Sequence, residues 1–109
     1  MSDNVVVMED NNYKNLIASN EYVVVDVWAV WCGPCKRTTP VFEDMADQNP
    51  NKRVLFAKLD ADNNIGASAE FRITSLPSFL IFQNGQLVKK WAGGDVSRLR
   101  KEITAVVNS

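Results

Sequence analysis

The longest nearly unbroken apolar stretch of the chain, Tyr22-Val23-Val24-Val25-Asp26-Val27-Trp28-Ala29-Val30, is interrupted only by Asp26 and is rich in β-branched side chains. Such a run fits a strand covered on both faces, because a strand with one wet face alternates apolar and polar positions. The rest of the pattern arranges itself around this central strand. Val5-Val6-Val7-Met8 predicts a short first strand, and Asn11 or Asn12 can cap a helix that turns Tyr13, Leu16 and Ile17 inward and ends at Ser19-Asn20. Across residues 34–47 a helical period buries Val41, Phe42, Met45 and Ala46, and Pro40 inside it is expected to kink the helix. Asn49-Pro50-Asn51 reads as a turn. Residues 54–60 then predict a third strand and residues 65–71 a short helix with asparagines before it. Two further strands, 78–82 and 86–91, are separated by Asn84-Gly85, a type I′ hairpin signal that makes them antiparallel. From Asp95 onward Val96, Leu99, Ile103 and Val106 recur at helical spacing.

The order βαβαβαββα implies an α/β domain, a mixed sheet with helices on both faces. Residues 1–109 suffice for one domain with its own core and no staples. Composition adds little to this, being 46% apolar and 23% charged, an ordinary globular balance. Charge is more selective. Twelve Lys and Arg against 13 Asp and Glu leave a net charge of −1, which argues against nucleic acid or an anionic membrane as the main partner. The opening Met1-Ser2-Asp3-Asn4 carries no basic n-region, and no apolar run reaches the length of a signal or spanning segment, so a cytoplasmic, reducing location is expected. We find no internal repeat and no low-complexity segment.

The chemistry concentrates in Trp31-Cys32-Gly33-Pro34-Cys35, which holds both cysteines of the chain. Strand ends beyond which a helix begins are where catalytic loops of parallel sheets lie. The unpaired N–H groups and aligned dipoles of a helix start favour a thiolate by up to about 2 kcal/mol, or roughly 1.5 pH units. That brings Cys32 toward neutrality, where it becomes a nucleophile. Gly33 lets the chain turn sharply, and Pro34 suits a first helical turn because its missing N–H is not needed there. Cysteines three apart at a helix start lie on one side, within reach of each other. A zinc half-site would need more ligands than a chain with no histidine and no third cysteine offers, short of an intersubunit site. A purely structural disulfide suits neither the expected compartment nor so small a ring, which leaves a redox-active pair as the favoured reading.

Asp26 is expensive in an apolar strand, and burial should raise its pKa into the range of a proton donor or acceptor, though a carboxylate satisfied by a backbone amide or water is the plainer alternative. Lys58 could pair with Asp26 if their strands are neighbours, or could lie solvated on the strand surface. Ser75-Leu76-Pro77-Ser78 joins the short helix to the fourth strand, with a trans peptide before Pro77 as the default for an X–Pro bond. Trp28 suits the core, whereas Trp31, at the strand exit, suits either core or a partner.

The stretch Asp26-Val27-Trp28-Ala29-Val30-Trp31-Cys32-Gly33-Pro34-Cys35-Lys36 resembles the active-site signature of the thioredoxin family. The resemblance continues through Pro40, Lys58-Leu59-Asp60, Leu76-Pro77-Ser78-Phe79, Asn84-Gly85 and Gly93. It implies the thioredoxin fold, a five-stranded mixed sheet ordered 1-3-2-4-5 and flanked by four helices, with a cis bond before Pro77. It implies a protein dithiol–disulfide oxidoreductase in which Cys32 attacks and Cys35 resolves, while Asp26 and Lys58 assist proton transfer. Substrate would dock on an apolar rim, here Trp31, Gly33, Pro34, Leu76, Pro77, Ala92 and Gly93. No metal or bound cofactor is implied: electrons would come from NADPH through a flavoprotein thioredoxin reductase. The clients would be disulfide-bearing proteins such as peroxiredoxins and reductases, met by a monomer. Ser75 stands where the family usually has glycine, Ala61 where a larger aliphatic is common and Val27 where phenylalanine is frequent. Ser75 and Ala61 bear on partner preference. A thiol oxidase or isomerase, and a binding module with incidental thiols, are the competing readings.

Overall fold

The structure, a computed structural model, describes residues 2–50 and 53–109. Met1, Asn51 and Lys52 lie outside them, so the last residue of the Asn49-Pro50-Asn51 turn is not described. The elements follow one another as β1 (Val5–Met8), α1 (Tyr13–Ser19), β2 (Tyr22–Trp28), α2 (Gly33–Gln48), β3 (Val54–Asp60), α3 (Ile65–Glu70), β4 (Ser78–Gln83), β5 (Gln86–Ala92) and α4 (Val96–Val107). The strands form one sheet in the order β1-β3-β2-β4-β5. β3 runs parallel to both β1 and β2, whereas β4 is antiparallel to β2 and β5 to β4.

The central strand is β2, and every residue from Tyr22 to Val27 is buried. Alternation along it separates two cores. Val23, Val25 and Val27 join Leu80 and Phe82 against Tyr13 and Ile17 of α1, with Ala67 and Phe71 of the α3 region. Val24, Phe56, Phe79 and Trp91 meet Phe42 and Met45 of α2 and Leu99 and Ile103 of α4 on the other face. Asp26 shares the parity of Val24 and therefore turns toward α2. Phe42 lies between Phe56 and Phe79, with ring centroids 5.6 and 6.5 Å away, which fixes α2 over the sheet.

Several boundaries differ from the sequence pattern. The strand expected to reach Val30 stops at Trp28, whose carbonyl accepts from the Ala61 N–H at 2.9 Å, and Cys32 N–H then turns back to Ala29 O at 3.1 Å. α2 begins one residue early and runs through the exposed Pro40 without interruption; Val41 is half-buried, not buried. Asn12 occupies the start of α1 but does not cap it. Its Oδ1 accepts from Glu9 N–H and its Nδ2 donates to Val7 O, so the amide braces the preceding turn. The hairpin follows expectation, with positive φ at both Asn84 (52°) and Gly85 (85°), as a type I′ turn requires. Asp95 caps α4, accepting from Arg98 N–H at 3.1 Å.

Candidate functional site

Where β2 ends, the chain crosses Ala29, Val30 and Trp31 and enters α2 with Cys32 at its N-cap. Cys32 and Cys35 are joined in a disulfide with Cα atoms 5.3 Å apart. The Cys35 N–H donates to Cys32 Sγ at 3.2 Å, so one orphan donor of the helix start is aimed at the sulfur. In the reduced protein that donor and the helix dipole would favour a thiolate at Cys32. Both cysteines are buried, among Ala29, Trp28 and Leu76. Their immediate neighbours are not: Val30 is 71% and Trp31 70% exposed. The Trp31 indole N–H donates to Asp62 Oδ2 at 2.8 Å, which holds the ring at the surface beside the pair.

A second segment closes on the disulfide from the sheet. The Leu76–Pro77 peptide is cis, so the trans default for an X–Pro bond does not hold here, and Leu76 packs against the cysteine cluster. Pro77 O accepts from Gly93 N–H at 2.9 Å and Ser78 Oγ donates to Ser75 O at 2.6 Å, tying residues 75–78 to the end of β5. Gly93 sits at φ 115°, a conformation that L side chains rarely adopt. Trp31, Gly33, Pro34 and Ala92 are exposed, Leu76 and Gly93 are half-buried and Pro77 is buried.

Under α2, on β2, lies Asp26, wholly buried. Its Oδ2 accepts from Thr39 Oγ1 at 3.1 Å, and its Oδ1 has no hydrogen-bond partner among the described residues. Burial pushes its pKa from an ordinary 3.8 up to about 7; the Thr39 hydroxyl and then Lys58 pull it down, and Glu43 pushes it up. Lys58 stands opposite Asp26 in the β2–β3 register, as a pairing would require. It pairs with Glu43 instead, its Nζ 2.9 Å from Glu43 Oε2 and 5.5 Å over the Trp28 ring. A cleft of about 370 Å³ opens between Trp28, Val30, Cys35, Thr39, Pro40 and Lys58, so Thr39 and Lys58 border it beside Cys35 while Asp26 stays buried.

Three residues of the site escaped the sequence reading. Asp62 sits in a polar loop with no local pattern to mark it. Thr39 and Glu43 follow Cys35 at intervals of four, the spacing of one helical face, and that signal was available. Which strand residues they meet depends on how α2 lies over the sheet. Among the described residues no group of three or more His, Cys, Asp or Glu side chains could hold a metal ion.

Comparison with known proteins bears on the same residues. The thioredoxin family profile matches residues 4–105. Thioredoxin of Malassezia sympodialis is 37% identical over 99 residues, covering 91% of this chain and 94% of that protein. Its crystal structure superposes with a TM-score of 0.87 at 34% identity, covering 98% of this chain and 93% of that one. A bifunctional thioredoxin reductase/thioredoxin of Mycobacterium leprae is 39% identical over 106 residues, 95% of this chain but 23% of that longer protein. A chain solved in work on the thiol resolving mechanism of yeast mitochondrial 1-Cys peroxiredoxin via glutathione/thioredoxin systems gives a TM-score of 0.84 at 30% identity, over 93% of this chain and 94% of that one. With the sheet order, the disulfide across a helix start and these likenesses all in agreement, the chain belongs to the thioredoxin family.

Proposed function

We propose that this protein reduces disulfides of other proteins through reversible oxidation of Cys32 and Cys35. The observation that carries the reading is a disulfide closed over the N-terminus of α2, with a buried carboxyl of near-neutral proton affinity held by Thr39, one helical turn beyond Cys35. In the first step the Cys32 thiolate attacks one client sulfur, the client S–S bond breaks and its other sulfur leaves as a thiolate. The client is then held to Cys32 by a mixed disulfide. In the second step the Cys35 thiol gives its proton to the Asp26 carboxylate, and the new thiolate attacks Cys32 Sγ. The mixed disulfide breaks, the client departs with two electrons gained, and the protein is left oxidised as in the structure. Lys58 modulates Asp26 from the neighbouring strand. Trp31, Gly33, Pro34, Leu76, Pro77, Ala92 and Gly93 form the rim on which the client chain docks.

Oxidised protein must be re-reduced. A flavoprotein thioredoxin reductase drawing on NADPH is the proposed source, supported by the relative that joins a reductase and a thioredoxin in one chain. Peroxiredoxins are proposed clients, a choice supported by the yeast peroxiredoxin study to which one structural neighbour belongs. We place the reaction in the cytoplasm, where disulfides are transient, with the protein acting as a monomer in a single domain.

Titration of the pair against defined thiol buffers, followed by Trp28 and Trp31 fluorescence, tests the direction of the chemistry. A potential below about −220 to −260 mV marks a reductant, whereas one near −180 to −120 mV would replace this reading with an oxidase or isomerase. A pair that never forms its bond would leave only a binding module. The order of attack is tested by trapping: Cys35→Ser should accumulate client on Cys32, and accumulation on Cys32→Ser instead would reverse the two roles. Asp26→Asn should slow the second step near neutral pH and leave the first unchanged.

A further inference from the structure

Beside the buried face of α2, which carries Thr38, Phe42, Met45 and Ala46, run Cys35, Thr39 and Glu43, one per turn, the last two half-buried. Opposite them stand Asp26 on β2 and Lys58 on β3, side by side in register. Each of the two turns beyond Cys35 makes one polar contact with this strand pair. Thr39 Oγ1 donates to Asp26 Oδ2 at 3.1 Å, and Glu43 Oε2 lies 2.9 Å from Lys58 Nζ. Among the described residues the charged groups that act on Asp26 are Glu43 of α2 and Lys58 of β3, while β4 sets the apolar Phe79 opposite it.

These contacts act on the carboxyl in opposite senses. A hydroxyl donor stabilises the charged form, and it occupies only one of the two carboxylate oxygens. A lysine within direct reach would stabilise the charged form further and leave a weak base. Lys58 is placed for that contact by register, yet its ammonium is taken up by Glu43 and the Trp28 ring. We propose that Thr39 and Glu43 are positioning residues of the resolving step: Thr39 fixes one oxygen of Asp26 so that the other stays bare for the Cys35 proton, and Glu43 holds the Lys58 ammonium off that carboxyl.

This rests on Asp26 as the acceptor of the Cys35 proton, the reading given above. The proton moves from Cys35 Sγ to the unpartnered Oδ1, Cys35 Sγ bonds to Cys32 Sγ, and the client sulfur leaves as thiolate. Neither Thr39 nor Glu43 touches a reacting sulfur in that sequence. Their action is through the carboxyl alone.

The test is a titration of the Asp26 carboxyl carbon by NMR in the oxidised protein, beside the pH profile of mixed-disulfide resolution by stopped-flow fluorescence. Thr39→Val removes the donor and should raise the midpoint by about one pH unit; Thr39→Ser keeps a hydroxyl and should restore the wild-type midpoint. Glu43→Gln releases Lys58 toward Asp26 and should lower the midpoint by roughly half a unit or more. The inflection of the resolution profile should move with the midpoint in each variant. Midpoints unmoved in Thr39→Val and Glu43→Gln, or moved in the same direction, would overturn the proposal. So would midpoints that move while the kinetic profile stays fixed. A wild-type protein that resolves no mixed disulfide at any pH would instead sink the reductase reading, and the carboxyl titration would still separate the two failures.

Discussion

Replacing Asp26 by asparagine removes an ionisation from the interior at nearly constant shape, and its effect on stability has a sign and a pH window. Below about pH 3.8 the carboxyl is protonated in both the folded and the unfolded chain, and its ionisation costs the fold nothing. Between 3.8 and about 7 the unfolded chain releases the proton while the folded chain keeps it, so stability falls as pH rises. Above about 7 the loss is complete. A rise from 3.8 to about 7, at about 1.36 kcal/mol per pH unit, corresponds to a loss of roughly 4 kcal/mol across that window. Asparagine carries no such loss, but its amide N–H groups meet a site with no second partner, at a cost of about 1–3 kcal/mol. Asp26→Asn should therefore be the less stable protein near pH 4 and the more stable one near pH 8. Urea denaturation of both oxidised proteins at half-unit steps from pH 4 to 8 measures the difference. Asp47, held low by the Ser2 hydroxyl, and Glu102, held low by Lys89, weaken both proteins alike as pH falls and cancel in it. A difference constant to within about 0.5 kcal/mol over this range would refute the assignment of a buried, proton-binding carboxyl to Asp26.

The core on the α2 side should be sensitive at Phe42, where alanine would leave a void between Phe56 and Phe79 and cost about 3–5 kcal/mol in chemical denaturation; a loss under 1 kcal/mol would mean that the site collapses freely. Asp95→Ala removes the cap of α4 and should cost about 1 kcal/mol in the same assay, with Asp95→Ser recovering most of it. Trp31→Ala should leave stability within about 0.5 kcal/mol, because the ring is 70% exposed, while lowering kcat/KM for client reduction by about tenfold or more. Unchanged kcat/KM would remove Trp31 from the docking rim.

Much of this was written in local patterns. The β-branched run Tyr22–Trp28 could hardly be anything but a covered strand, and Asn84-Gly85 specified its hairpin because few residue pairs accept positive φ at two successive positions. Cys32, Gly33, Pro34 and Cys35 announced a redox pair at a helix start through spacing and residue type. Local patterns erred at two points. Asn12 turned its amide to Val7 and Glu9 instead of capping α1, and residue-level preference gave a trans bond before Pro77 where the structure has cis.

The proton site shows the division most sharply. That a carboxylate lies in an apolar strand, and that burial raises its proton affinity, follows from the sequence of β2 alone. That Lys58 stands beside it was decided by the pairing of β2 with β3, and that Thr39 meets it and Glu43 takes the lysine by the packing of α2 on the sheet. Helical and strand periods are properties of neighbouring residues, and a sequence displays them directly. A hydrogen bond between residues 13 apart, or an ion pair between residues 15 apart, depends on how whole elements are set against one another, and burial of both faces of β2 fixes that arrangement.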